Sequence, residues 1–381
     1  MKFMHLADLH LGRSLNGFSL LADQKYILDE ILTICQDEQI ETVLISGDIY
    51  DKTTPIGEAM VLFDDFLTAL CALKTEIFII SGNHDSGKRL SFLHRLVDKL
   101  GIHLSPVFNG EISRNILTDQ FGKINIYSLP FLKASSVKEF FPQRDIKTHH
   151  DALACVLESI ELNQNERNIL LSHQFVTGAL ASDQESAVGG AENIGIEIFE
   201  PFDYVALGHL HAPQKLKYDY IRYAGSPLKY SMAEIKQEKS VTIVDLGAKG
   251  ELNIKTIPLT PLHDLRELKG SYDELTALSN YANTATDDYL KIILTDEEEI
   301  INALAKLRTI YPNIMELAYA NKRSQKTEDS FSFSEQVLSR SPLELFGDLY
   351  QKQNNQPLSQ EQEQYLSQVI EKLWEVDLCG R

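Results

Sequence analysis

Residues 42–48, Thr-Val-Leu-Ile-Ser-Gly-Asp, read as a short strand of successive apolar side chains ending on a glycine and a carboxylate. An apolar run without alternation suits a strand covered on both faces, as in a sheet layered between helices. Upstream, QKYILDEILTICQDE (24–38) places Ile27, Ile31 and Ile34 at helical spacing, and before it FMHLADLH (3–10) is a second strand. Downstream, a helical stretch around Met60 to Leu73 leads into a third strand, IFIISGNHD (77–85). The front end is therefore β-α-β-α-β, which predicts an α/β fold.

The same pattern continues outward to about residue 245. A third helix, KRLSFLHRLVDKL (88–100), is expected to stop at Gly101, a residue suited to a left-handed cap. INIYSLP (124–130), NILLSH (168–173), YVALGH (204–209), YIRYAGS (220–226) and VTIVDLG (241–247) are further strands. After about residue 260 the pattern becomes LRELKGS, DELTALSNYA, YLKIILT, EEEIINALAKLRTI and NIMELAY, a compact α+β module. Its acidic run Asp296–Glu299 is expected to open a helix, where negative charge meets the N-terminal dipole. A polar linker over 321–334 precedes two amphipathic helices. The first carries Leu345, Phe346, Leu349 and Tyr350 on one side; the second carries Leu366, Ile370 and Trp374, with Ser359 and Gln362 spaced as a capping box. Two short helices cannot bury such faces by themselves. They either dock on the body of the protein or take a partner's helices.

With 381 residues the chain holds two or three domains at roughly 100 to 200 residues each. Its 43% hydrophobic and 24% charged content exclude a mainly disordered or collagenous chain. No apolar run approaches the roughly 18 residues of a membrane span, and Asp8 and His10 occupy the place of a signal peptide's apolar centre, so a cytoplasmic protein is expected. Cys35, Cys71, Cys155 and Cys379 form no C-x-x-C pair, so neither a zinc knuckle nor a disulfide framework is expected. The net charge of -19, from 36 Lys and Arg against 55 Asp and Glu, disfavours non-specific adhesion to nucleic acid or membranes. Bound dications or a basic partner can reverse that potential within one cleft.

Five clusters of Asp, Asn and His stand at or just past strand ends, where ligands gather in α/β folds. They are D-L-H (Asp8, His10), G-D-I-Y-D (Asp48, Asp51), G-N-H-D (Asn83, His84, Asp85), S-H-Q (His173) and G-H-L-H (His209, His211). Oxygen and imidazole donors without cysteine suit a pair of divalent ions such as Mn, Fe or Zn. Two such ions about 3.5 to 4 Å apart need a bridging carboxylate, for which Asp48 is the best candidate, and they clamp both oxygens of an in-line displacement at phosphorus. Alternation along extended D-L-H and H-L-H segments is expected to send Asp8 with His10, and His209 with His211, to one side.

The five clusters resemble the signature of the calcineurin-like metallophosphoesterases. Within that superfamily HLADLHLGR, GDIYDKTTP, SGNHDSGKRL, ALGHLHAPQ and YAGSPLKYS are similar to the bacterial SbcD nuclease family, over essentially the whole chain. The resemblance implies a layered α/β sandwich with a small α+β capping domain and a C-terminal helical pair: a nuclease domain over 1–255, the capping domain over 256–325, and over 326–381 a linker and helices binding the coiled-coil base of the SbcC ATPase. It gives one ion to Asp8, His10, Asp48 and His211 and the other to Asp48, Asn83, His173 and His209. The family uses manganese, with magnesium as the other candidate. His84 then binds the phosphate or protonates the leaving group. Archaeal and eukaryotic relatives carry histidine in place of Asp51, which here is expected to pair with His84 and favour its charged form; the alternative is a turn-capping aspartate.

Arg13, Lys88 and Arg89 follow two of the clusters and are candidates for contacts to DNA phosphates, exposed solubilising charge being the other reading. The loop 178–195, with Val-Gly-Gly in it, is similar to one beside the family's active site. The function expected is a Mn-dependent DNA nuclease, a 3′–5′ exonuclease and an endonuclease on DNA ends and hairpins. It would act in repair, replication and recombination as a homodimer within a heterotetramer with SbcC, on the nucleoid and away from membranes. A small-molecule or phosphoprotein phosphoesterase and a non-catalytic scaffold are the competing readings, the second disfavoured by the complete donor set.

Overall fold

The computed structural model of the chain describes residues 1–180, 194–320, 343, 346–347, 349–351 and 357–367. In chain order it begins with β1 (Lys2–Leu6), a ribbon of β2 (Ser14–Leu15) and β3 (Phe18–Ser19), α1 (Leu21–Asp37), β4 (Thr42–Ser46), α2 (Gly57–Ala72) and β5 (Glu76–Ile80). Next come α3 (Gly87–Leu90), α4 (His94–Val97), β6 (Ile102–Leu104), the hairpin β7 (Ser113–Asp119) and β8 (Gly122–Leu129), α5 (Ala134–Lys138), α6 (His149–Glu158), β9 (Arg167–His173) and β10 (Tyr204–Gly208). They are followed by β11 (Gln214–Lys215), β12 (Ile221–Tyr223), β13 (Ser240–Leu246) and β14 (Leu252–Pro258). The last are β15 (Leu265–Gly270), α7 (Tyr272–Thr276), α8 (Leu278–Tyr281), β16 (Tyr289–Leu294), α9 (Ala303–Leu307) and β17 (Ile314–Tyr319).

Two six-stranded sheets, ordered β14-β13-β1-β4-β5-β6 and β11-β12-β10-β9-β8-β7, face each other. In the first, β1, β4, β5 and β6 run parallel; in the second, β8, β9, β10 and β12 do. Every residue of β4, β9 and β10 is buried, which is why their sequences are apolar without alternation. Phe3, Leu44 and Phe78 of the first sheet pack on Ile126, Ile169, Leu171 and Tyr204 of the second. The side chains between these point the other way: Met4 and Ile45 meet α1 and α2, while Leu170 and Val205 meet α6. The result is the expected helix-sheet-sheet-helix sandwich, and fully burying each such side chain contributes about 1.5–3 kcal/mol over leaving it exposed. The sheet β15-β16-β17 follows, with α7 opened by a Ser271–Glu274 capping box.

Two local expectations are corrected. The helix read over 88–100 is broken: α3 and α4 are one turn each, Leu93 between them takes a left-handed φ of 64°, and Gly101 caps the end at 80°. Phe92, Leu96 and Leu100 are exposed, so this segment lacks the buried apolar face that sustains a longer helix. The acidic run Asp296–Glu299 opens no helix, because Asn302 adopts a left-handed φ of 56° and α9 starts only at Ala303.

By compactness the chain divides into Met1–Ile293 with Ile300–Ala318, and Leu294–Glu299 with Tyr319–Arg381. Within the second unit the Ser359–Gln362 capping box is present, with main-chain to side-chain bonds of 2.9 and 3.3 Å in both directions. Among the described residues no helix is long and apolar enough to cross a membrane.

Candidate metal centre

The donors sit where parallel strands end. Asp8 follows β1, Asp48 follows β4, Asn83 follows β5, His173 is the last residue of β9, and His209 comes directly after β10. The first two loops run side by side beyond the sheet, through Asp8 N–H to Gly47 O (3.0 Å), His10 N–H to Asp48 O (2.9 Å) and Leu11 N–H to Ile49 O (2.9 Å). Ser46 Oγ donates to Ala206 O at 2.9 Å and ties the two sheets together at this end. The loops are not extended. Asp8, His10, Asp48 and His209 have φ of 54°, 43°, 50° and 110°, so a left-handed backbone and not strand alternation aims these side chains. Such conformations cost on the order of 1–3 kcal/mol each and persist only where their surroundings enforce them. Two motif glycines have a matching reason: a side chain at Gly82 would overlap the Asp48 carboxylate, and one at Gly208 would overlap Ser46 O and His173 Nδ1.

Asp48 lies at the centre. Its Oδ2 is 3.4 Å from His173 Nε2 and 3.7 Å from His10 Nε2, and its Oδ1 accepts the main-chain N–H of His84 at 2.9 Å. To one side, His10 Nε2 faces His211 Nε2 at 3.1 Å, with an Asp8 oxygen in the same group. To the other, Asn83 Oδ1 lies 3.0 Å from His173 Nε2 and 3.1 Å from His209 Nδ1. All seven residues singled out as metal donors therefore meet in one place. Asp8, His10, Asp48 and His173 form a buried floor; His209 and His211 are half-buried and Asn83 is exposed. His173 Nδ1 donates to Ser46 O at 2.8 Å, and His211 Nδ1 faces Glu234 Oε1 at 2.9 Å, so both rings turn Nε2 inward.

The residues fit a pair of divalent ions. With its Nδ1–H engaged by Glu234, His211 presents an Nε2 lone pair to His10 Nε2, and the buried His10 Nδ1 has no hydrogen-bond partner. Oxygen and imidazole donors without thiolate select hard or borderline divalent metals. In the metal-free protein, protons partly take their place. Burial pushes the Asp8 carboxyl up to about 7, only partly offset by His173 and His211. Burial opposes the charged form of His173, but Asp48 and Asp8 outweigh it and hold the ring up at about 9. Burial opposes the charged form of Asp48, but His173, with His10 and His84, outweighs it and keeps the carboxyl well below the usual carboxylate range. His209 and His10 are driven down, chiefly by burial. Both raised groups are protonated below their values and must lose that proton to bind a cation. Metal affinity is therefore expected to rise with pH from below 7 to about 9, by about one decade per pH unit for each proton displaced. Calorimetric titration across that range would refute this by giving a flat profile.

His84 is half-buried beside the donors, its ring 4.8 Å from that of His10. The expected carboxylate partnership with Asp51 is not what holds it. His84 Nδ1 donates to the main-chain carbonyl of Asp51 at 3.0 Å, while the Asp51 carboxylate takes Arg13 at 2.8 Å and stands 3.9 Å from His10 Nδ1. A guanidinium offers the carboxylate a stronger, charge-assisted partner than an imidazole edge does. Arg13 also lies over the Tyr230 ring, and Arg89 donates to Thr53 O and Thr54 Oγ1, so both brace the loop after Asp51; Lys88 is exposed. Sequence reasoning assigned no role to Asp85, whose buried carboxylate accepts the N–H groups of Ile49, Tyr50 and Gly82 and pins the Asp48 and Asn83 loops together. It also missed Gln24, which donates to His10 O at 2.7 Å, and the pair Glu234–Lys239. Asp85 carries a signal in its G-N-H-D motif; the other three carry none. Of the tail residues, Phe346 and Leu349 are exposed and Tyr350 and Leu366 half-buried, while Leu345, Ile370, Trp374 and most of the loop 178–195 lie outside the described residues.

Comparison with known proteins gives two family patterns. Residues 1–213 match the family described as calcineurin-like phosphoesterase, and residues 261–354 match one described as type 5 capsule protein repressor C-terminal domain. The chain is 33% identical over 375 residues to the D subunit of the nuclease SbcCD from Staphylococcus epidermidis, covering 97% of this chain and 98% of that protein. A solved dimetal phosphatase from Danio rerio is similar with a TM-score of 0.44 and 12% identity, over 69% of this chain and 98% of the other.

Proposed function

The chain belongs to the calcineurin-like phosphoesterases, in the SbcD nuclease branch, and from that premise we propose that it is the manganese-dependent nuclease component of a complex with an SbcC-type ATPase. It is a metal-dependent hydrolase. The reading of its chemistry is carried by one observation: seven oxygen and imidazole donors from five strand ends meet in one place, with Asp48 at the centre. In this reading Asp8, His10, Asp48 and His211 hold one ion, and Asp48, Asn83, His173 and His209 hold the other. Divalent ions held by these residues, manganese in this reading, would supply Lewis acidity for an in-line displacement at phosphorus.

The chain's own groups do the rest. Because its Nδ1–H is donated to Asp51 O, the His84 ring keeps Nε2 for the scissile phosphate or the leaving oxygen. The Arg13–Asp51 pair and Arg89 hold the loop that carries this carbonyl, and Arg89 and Lys88 supply positive charge for backbone phosphates. The proposed substrate is DNA at ends and hairpins, cut as 3′–5′ exonuclease and endonuclease in the cytoplasm during repair, replication and recombination. The proposed division is a nuclease domain over 1–255, a capping domain over 256–325 and an ATPase-binding tail over 326–381. Since the chain carries a net charge of -19, most of the affinity for DNA would come from the ions and the partner.

The test is cleavage of end-labelled hairpin DNA, with and without the ATPase, in manganese. Manganese-dependent nicking is expected. Turnover of a chromogenic phosphodiester without any cutting of DNA would point instead to a phosphoesterase of small substrates. We further propose a homodimer, because Met60 and Val61 on α2 and Phe92, Leu96 and Leu100 beyond α3 leave large apolar side chains exposed. Leu96→Asp is expected to sediment as a monomer under conditions where the wild type is dimeric; an unchanged dimer would place the interface elsewhere.

A further inference from the structure

Behind His211 lies a buried ion pair. Glu234 closes a short turn, Met232–Glu234, and is 1% exposed. Its Oε1 meets His211 Nδ1 at 2.9 Å, and its Oε2 accepts Lys239 Nζ at 2.6 Å and the Tyr230 N–H at 3.3 Å. Lys239 is 6% exposed, and its ammonium also donates to the main-chain carbonyl of His211 at 2.8 Å, to Ser226 Oγ at 2.9 Å and to Gln237 Oε1 at 2.7 Å. One end of the pair therefore grips the His211 ring and the other grips its backbone. A buried carboxylate is tolerated only when paired and hydrogen-bonded, and here the Glu234 carboxylate is bonded to His211, Lys239 and the Tyr230 N–H.

We propose that Glu234, with Lys239 as its counter-ion, is the positioning residue that fixes the His211 ring with Nε2 turned toward the first metal position. The inference rests on the ligand set proposed above. The carboxylate selects the Nδ1–H tautomer and strengthens the opposite nitrogen as a donor. His173, on the other side of Asp48, is oriented by the neutral carbonyl of Ser46 instead, so the two positions differ in how their histidines are held. The charged clamp belongs to the position of Asp8, His10 and His211, so its loss should be felt by one ion and not the other.

The experiment is a calorimetric Mn2+ titration of the full chain, wild type against Glu234→Ala, Glu234→Gln and Lys239→Met, paired with NMR of the imidazole nitrogens in the metal-free proteins. The wild type is expected to bind two ions and to show His211 protonated at Nδ1. Glu234→Ala should weaken one ion by about 10- to 100-fold and leave the other unchanged, with the His211 signals shifting to a mixture of tautomers. Glu234→Gln keeps volume and an acceptor and should lose less at the same ion; Lys239→Met should weaken that ion too. If the alanine variant does not fold, the glutamine and methionine variants carry the comparison. Two ions bound as in the wild type, with unchanged His211 signals, would overturn the proposal while leaving the metal centre intact. Equal weakening of both ions would mean that the pair is only structural. A wild type that binds no manganese would remove the ligand reading itself.

Discussion

Asp48→Ala is expected to abolish metal-dependent phosphodiester hydrolysis, with a loss on the order of 10³-fold or more, because this carboxylate lies between His10 on one side and His173 on the other and faces both groups of donors. Its Oδ2 lies 3.4 Å from His173 Nε2 and 3.7 Å from His10 Nε2, so removing it takes the shared oxygen from both positions at once. It also strips the buried His173 of the main charge that stabilises its protonated form. Calorimetry should therefore show two Mn2+ ions on the wild type and no tight ion on the variant. Retention of both ions at wild-type affinity would mean that Asp48 does not bridge, and the two-ion reading would fall with it.

His84→Gln should separate binding from chemistry. The bond from residue 84 to Asp48 Oδ1 is made by the main-chain N–H and survives the substitution, so the donor set keeps its geometry. What disappears is an imidazole beside the donors whose Nδ1 is anchored by the Asp51 carbonyl. Loss of a positioned proton donor or phosphate-binding ring costs typically about 10²- to 10⁴-fold in rate, and that is the expected fall in cleavage of hairpin DNA at unchanged Mn2+ stoichiometry. A variant that cleaves at the wild-type rate would remove His84 from the mechanism. One that loses its metals would make it a structural support for Asp48.

Much of this was legible in the residues. Apolar runs such as TVLIS and NILLS lie between two covered layers and so lack alternation, which gives away strands buried on both faces. The seven candidate donors were recognisable because they stand at or just past strand ends, six of them in motifs with glycine or histidine neighbours, while His173 in S-H-Q stood out only beside the other clusters. The wrong details share a cause. Residues 88–100 have helical composition but no core to pack on, and D-L-H has the spacing of a strand while its backbone is left-handed. Neither packing nor φ is encoded in periodicity.

The partnership of Asp51 shows the same limit. A carboxylate two residues beyond Ile49 has both an imidazole and a guanidinium within reach, and its choice of Arg13 follows from where Tyr230, distant by 217 positions from Arg13, holds the guanidinium. Glu234 and Lys239 were invisible for a related reason, since an ordinary S-M-A-E stretch becomes a clamp only when the turn after β12 brings it against His211. Side-chain chemistry and local spacing thus carried the layered architecture and the choice of candidate metal donors, because those depend on residue type and short-range order along the chain. Which ring nitrogen faces inward, which cation neutralises which acid, and which residues bear left-handed strain depend on contacts between segments far apart in sequence, and these come into being only when the two sheets close on each other.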